Sequence, residues 1–196
     1  MARSADATRA KILASAYRLI RRRGFARSKM NEIAAGAALT KRTLYQHFAS
    51  KDALLAAMLQ VQHDLAMAGF VRMIDRFEHD PEHMIETLFT ELATWSASKH
   101  WEGSGFTRLA VELADMSGHP ARRMARQHKA ALERYLSESL ERAGVPEAMT
   151  VAREILLLLE GTMVMMLVHG DRSYARAAAS AAVRLLQSRN HAGEDR

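Results

Sequence analysis

Residues 39–55, LTKRTLYQHFASKDALL, crowd Lys41, Arg42, Thr43, Tyr45, Gln46 and His47 into two helical turns, with only Leu44 and Phe48 to pack. Those polar types suit the edges and backbone of a nucleic acid. Lys41 and Arg42 can donate to guanine edges or phosphates, Gln46 can pair bidentately with adenine, and Thr43 offers a hydroxyl and a methyl. Tyr45 and His47 are expected to reach phosphate oxygens. So are Ser28 and Lys51 at the N-termini of the two flanking helices, with Lys29 and Thr40 beside them.

Other chemistries find little footing. The chain has no Cys, which excludes disulfides and thiolate metal sites and makes the cytoplasm the default compartment. His79 and His83 are four apart, but Pro81 between them spoils the shared helix face of a metal pair, and no third ligand is obvious. No nucleophile–base pattern, Gly-rich phosphate loop or paired carboxylate motif is present. Neither enzyme activity, nor a metal, nor a cofactor is expected. The N-terminal 25 residues lack the apolar core of a signal peptide. The most apolar run, residues 155–168, is interrupted by Glu160, Gly161 and Thr162, so it reads as a buried helix and not as a membrane span.

The elements that must hold the donor-rich segment are short helices with recognisable caps. A first helix carries Ile12, Ala16, Leu19 and Ile20 on one face and stops at Gly24. Ser28 is expected to cap a second, whose apolar face is Met30, Ile33, Ala34 and Ala37. Thr40 caps a third, with Leu39 and Leu44 at hydrophobic-staple spacing. Ser50 caps a fourth, and Asp52 in its first turn complements the dipole. Two short helices joined by a tight turn, the second rich in donors, make a helix-turn-helix whose second helix enters a major groove. Charge agrees with this. Residues 1–51 hold twelve Lys or Arg against two acids, while the remainder holds sixteen against twenty. The basic end is the one that should meet a polyanion.

At this point the segment resembles the DNA-binding signature of the TetR (tetracycline repressor-like) family. The matching positions are Ile33, Ala34, Thr40, Thr43, Leu44, Tyr45, His47, Phe48, Ser50, Lys51 and Leu54. One position departs from it: Ala38 stands in the turn where the family usually has Gly. If Ala38 takes a positive φ, the turn costs roughly 1 kcal/mol relative to Gly.

The rest of the chain also reads as helix, with no sustained period-two alternation. Pro81, Pro120 and Pro146 each stand just inside an expected helix start. Helices are expected at about 51–77, 81–98, 102–116, 120–143, 146–168 and 171–190. The expected organisation is all-α: a helix-turn-helix domain over 1–50, a six-helix domain over 51–190, and a disordered tail over 191–196. The resemblance implies that the larger domain binds a ligand and forms a dimer through its last two helices. The sequence supports the dimer independently. The helix after Pro146 is apolar nearly all round and needs neighbours on every side. Gly161 with Leu157, Val164, Met165 and Val168 makes one face, and Tyr174, Ala177, Ala178, Ala181 and Leu185 make another on the last helix.

Phe70, Met73, Phe77, Phe89, Trp95, Trp101, Phe106 and Met163 fall on the helices that line the family's cavity, though such residues also build ordinary cores. Glu160, a carboxylate in the most apolar helix, meets either a polar partner such as Arg108, His128 or Arg153, or a ligand donor. These features together imply a homodimeric regulator binding palindromic operator DNA. The resemblance adds a repressor's role, with release by a small, largely apolar or aromatic effector. The alternative is a helical DNA-binding adaptor governed by a protein partner, or by none.

Overall fold

The computed structural model describes residues 2–77, 79–99 and 101–194, and every regular element among them is helical. In chain order these are α1 (Ala2–Arg23), α2 (Met30–Gly36), α3 (Lys41–His47), α4 (Lys51–Ile74), α5 (Pro81–Ser96), α6 (Gly105–Glu112), α7 (Pro120–Arg142), α8 (Ala148–His169) and α9 (Ser173–Glu194). A 3-10 turn, Asp75–Phe77, follows α4. The helix boundaries follow their caps. Thr40 Oγ1 accepts from the Thr43 N–H at 3.1 Å. Ser50 Oγ accepts from Ala53 at 3.0 Å, and Asp80 Oδ1 from His83 at 3.0 Å. Each satisfies a donor the first helical turn cannot use internally.

Several expectations need correction. Ser28 does not cap α2: Lys29 holds that position, and the buried Ser28 hydroxyl donates to the Gly24 carbonyl at 2.7 Å. Helix α6 is shorter than the expected 102–116. Pro146 precedes α8 instead of opening it, because Glu147 adopts φ +52 and the helical ladder begins after it. Helix α9 starts at Ser173, where Asp171 accepts from both the Ser173 N–H (2.8 Å) and its hydroxyl (2.7 Å). It continues to Glu194, over most of the expected disordered tail. No Pro interrupts it there, and extending a helix that is already nucleated is far cheaper than starting one. Residues 195–196 lie outside the described residues.

The chain divides into two compact units, Met1–Leu65 with Gly105–His128, and Ala66–Ser104 with Lys129–Arg196. The first is larger than the 1–50 read from the sequence, for a physical reason. Two short helices, α2 and α3, cannot enclose the apolar side of α1, where Ile12, Leu13, Ala16 and Ile20 are buried. Leu54, Leu55, Met58 and Leu59 from α4 complete that core, with Phe106, Leu109 and Leu113 from the α6 region and Ala121 and Ala125 from α7. The second unit has its own core, built on Met84, Ile85, Phe89, Leu136, Leu140, Ile155 and Leu186. The stretch Lys51–Phe77 is long and apolar enough to cross a membrane by length and composition alone. Leu54, Leu55, Met58, Leu59 and Ile74 within it are buried in the two cores.

Helices α1 and α2 approach closely at one point. The buried Ser15 hydroxyl donates to the Ile33 carbonyl at 2.8 Å, and a Cβ added to Gly36 would lie 2.5 Å from that oxygen. Gly36, the last residue of α2, is therefore a packing requirement. Gly36→Ala is expected to destabilise the first unit by about 1–3 kcal/mol through forced displacement of Ser15. Adding Ser15→Ala to that variant should recover much of the loss. Urea unfolding of the single and double variants checks this; a Gly36→Ala protein as stable as wild type would rule out the constraint.

Candidate functional site

Helix α3 is held from beneath and bare above. Leu44 is completely buried and Phe48, its C-cap residue, nearly so, while Leu39 packs partly against the same core. The turn into α3 closes through the Leu39 N–H, which donates to the Ala34 carbonyl at 2.9 Å. Ala38 takes φ +57 in this turn, the left-handed conformation that the absence of glycine makes costly. Lys41, Arg42, Tyr45 and Gln46 are exposed on the outer side; Thr43 and His47 are half-buried. The Thr43 and Thr40 hydroxyls lie 2.9 Å apart and bond each other, so part of their capacity serves the cap. The Lys41 ammonium lies 5.7 Å from the centre of the Tyr45 ring. Among the described residues, neither the Arg42 guanidinium nor the Gln46 amide has a hydrogen-bond partner within the protein.

Other basic groups are engaged. Arg23 pairs with Glu32 at 2.8 Å, and Arg9 lies over the Phe48 ring at 5.2 Å. Glu32 accepts from the Lys29 N–H at 3.1 Å, which holds its carboxyl below the ordinary range, with Arg23 adding to the effect. Lys29 itself is exposed at the α2 N-terminus. Ser28, expected to touch phosphate, is 1% exposed with its hydroxyl already donated, so it is not on the outer surface. Lys51 is folded back: its Nζ lies 4.1 Å from the centre of the Phe25 ring and 3.4 Å from the Ala26 carbonyl oxygen. Burial lowers the pKa of this ammonium, and the Glu112 and Asp52 carboxylates pull it back up. Glu112, at the end of α6, went unnoticed in the sequence. It lies 86 residues and more from its partners, the Phe25 and Ala26 N–H groups, both at 2.9 Å. No local pattern signals such a contact.

In the second unit the aromatic and Met residues have mixed placements. Phe89 and Met163 are buried in the core, and Phe70, Met73, Phe77 and Trp101 pack partly against it. Trp95 is 45% exposed and meets Trp101 edge-on, with ring centres 5.8 Å apart. The Trp101 indole Nε1 is buried and has no hydrogen-bond acceptor among the described residues. Phe106 does not join this group. It is in the core of the first unit, stacked on His128 at 3.9 Å, because α6 turns Phe106, Leu109 and Leu113 to that core. Glu160 bonds the Lys129 ammonium, which also reaches Ser104 Oγ at 3.3 Å. Lys129 was not among the expected partners, and Arg153 instead pairs with Glu133 at 2.6 Å.

Helices α8 and α9 leave an apolar face open. Leu157 and Val168 are more than two-thirds exposed, and Val164 and Met165 are exposed as well. A Cβ on Gly161 would meet nothing within the protomer. A groove of about 570 Å³ runs along this face, lined by Leu157, Gly161, Met165, Tyr174, Ala181 and Leu185. Tyr174 stacks on His169. Ala178, which also borders the groove, is mostly buried in the protomer's own core.

Comparison with known proteins agrees with this geometry. Residues 12–58, from the middle of α1 to the first third of α4, match the bacterial regulatory proteins of the tetR family. The HTH-type transcriptional regulator EthR of Mycolicibacterium smegmatis is 27% identical over 169 residues, covering 82% of this chain and 75% of that protein. The HTH-type transcriptional regulator UidR of Escherichia coli is 33% identical over 113 residues, 58% of this chain and 53% of that one. The fold is that of reduced E. coli NemR, with a TM-score of 0.81 at 20% identity over 89% of this chain and 94% of that one. A TetR-family transcriptional regulator from Agrobacterium tumefaciens superposes with a TM-score of 0.80, also at 20% identity, over 93% and 98%. The helix-turn-helix over residues 12–58 is thus similar to that of the bacterial tetR-family regulatory proteins, and the chain shares the fold of the solved structures on which it superposes.

Proposed function

We propose that the chain acts in the cytoplasm as a homodimeric repressor, binding a palindromic operator and leaving it when a small, largely apolar effector is bound. One observation carries the DNA reading: an exposed, donor-lined face on a helix whose two apolar residues are both buried. Gln46 and Arg42 are the base-edge candidates, and Lys41, Tyr45, His47 and Lys29 the backbone ones. Two copies would set their α3 helices in successive major grooves, ~34–36 Å apart.

The dimer reading rests on the α8–α9 face. An apolar strip of this kind on a helix pair is a partner surface, and Gly161 would let a second copy approach closely. The effector reading rests on Trp101. A buried indole N–H without an acceptor costs about 1–3 kcal/mol, and an apolar ligand with one acceptor oxygen would recover it. Switching then requires that the effector bind the non-operator state more tightly than the operator state.

Three outcomes are expected. Gln46→Ala should relax base preference at one operator position by about 1–3 kcal/mol, measured on duplexes selected from a random pool. Unchanged affinity and preference would remove Gln46 from the base contacts. Gly161→Leu should yield monomers or aggregates in light scattering and lose tight operator binding, because two half-sites would no longer be linked. A wild-type-like dimer would move the interface elsewhere. Trp101→Phe deletes the indole N–H while keeping an aromatic ring. It should leave the melting temperature unchanged or raised and weaken release by an effector found by screening apolar compounds against the operator complex. Effector affinity that survives this substitution would place the binding site away from Trp101.

A further inference from the structure

The α1–α2 turn is gripped by residues far from it in sequence, and the grip converges on the basic side chain of Lys51. The Glu112 carboxylate takes both the Phe25 and the Ala26 N–H at 2.9 Å. The same Ala26 peptide offers its carbonyl to Lys51 Nζ at 3.4 Å, and Lys51 lies over the Phe25 ring. Gly24 leaves room for this: at φ +83 it has no Cβ, and one added there would stand 2.9 Å from Glu112 Oε1. A second handle enters with α7. His119 Nδ1 accepts from the Ala121 N–H at 3.1 Å, which leaves the ring proton on Nε2, 3.5 Å from Asp52 Oδ1. The His119 ring meets Phe25 edge-on, with centres 5.4 Å apart.

We infer that Glu112 is a positioning residue for DNA binding: it fixes the 24–26 turn so that Lys51, next to α3's end, is presented to a phosphate in one geometry. The inference deepens the operator-binding reading proposed above and rests on it. Lys51 opens α4, three residues after Phe48 caps α3, so its backbone lies next to the end of the donor-bearing helix. A long, flexible lysine gives a defined phosphate contact only where its stem and head are confined. Here the Phe25 ring and the Ala26 carbonyl confine it, and Glu112 confines them.

The sign of the effect separates this role from bulk electrostatics. Removing a carboxylate beside a DNA-binding surface should raise affinity for a polyanion if charge alone matters. A positioning role requires the opposite. Glu112→Gln keeps the size of the side chain but sets an amide NH2 group against one of the two backbone donors. On a duplex recovered by the wild-type protein from a random pool, Glu112→Gln is expected to weaken binding about tenfold or more. The slope of log affinity against log salt should become shallower by about one contact. Lys51→Met should cost the wild type a similar amount and cost the Glu112→Gln protein little more, because neighbours acting through one another are non-additive. Leu13→Ala, a core change in the same unit, controls for stability: it should lower the melting temperature while leaving the salt slope intact. If Glu112→Gln does not fold, Glu112→Asp, which retains the charge but is one methylene too short to meet both amides, should show the same non-additivity more weakly. Unchanged or tighter binding by the Glu112 variants, or a Lys51→Met loss as large in their background as in wild type, would overturn the inference. A wild-type protein that recovers no duplex would overturn the operator reading and this inference with it. Failure of the inference alone would leave wild-type binding and the Gln46→Ala effect in place.

Discussion

A seven-residue helix makes too few internal hydrogen bonds to persist in water, so α3 exists because Leu44 and Phe48 are buried beneath it. Everything on its outer side depends on that burial. With one apolar stripe committed to the core, the remaining positions are free to carry donors at no packing cost. The Thr40 cap and the Leu39 contact then fix where the helix begins, and so which side chains face outward.

The supporting core tolerates local costs to keep that geometry. Ala38 sits at φ +57 without the freedom of glycine, while Gly36, two residues earlier, gives up helix propensity so that Ser15 can reach the Ile33 carbonyl. Both choices go against local preference, and both occur where α2 must meet a neighbour at close range. Such conflicts are expected where surrounding contacts over-determine the backbone. Gly24 involves no such conflict: its positive φ ends α1 in the ordinary way, and the missing Cβ also admits the Glu112 carboxylate.

What was legible in the sequence was local. Thr40, Ser50 and the Pro81 and Pro120 starts are decided within one helical turn, so the residue types alone located α3, α4, α5 and α7. Ser28 misled because a serine before an apolar run looks like a cap from sequence, whereas its hydroxyl reaches back to Gly24 and Lys29 takes the cap position. Pro146 misled because nothing in its neighbours announces the left-handed Glu147. The long-range pairs were invisible: Glu112 with Phe25 and Ala26, and Lys129 with Glu160, join residues whose separation carries no periodic signal. Phe106 shows the same limit for packing, since an apolar residue at the start of a short helix does not say which core it enters. The exposed donors of α3 and the open α8–α9 strip were legible as patterns because each repeats on one helix face.

The two units leave opposite kinds of surface unsatisfied, and this asymmetry argues for what each must meet. The first presents exposed charged and amide donors on α3, while two of its acids, Glu32 and Glu112, are already occupied, by Arg23 and Lys29 and by the Phe25 and Ala26 amides. Water satisfies them in the free protein, and a phosphate backbone with base edges between its strands is an acceptor array that would match them. The second presents Leu157, Val164 and Val168 beside a glycine with open space over it, a surface that water disfavours and that a like surface would cover. Covering it with an identical chain would join two donor faces in one assembly, and linking two weak half-site contacts multiplies their affinity without any new contact. On this reading the apolar strip of α8 and α9 is as much a determinant of operator affinity as the donors of α3.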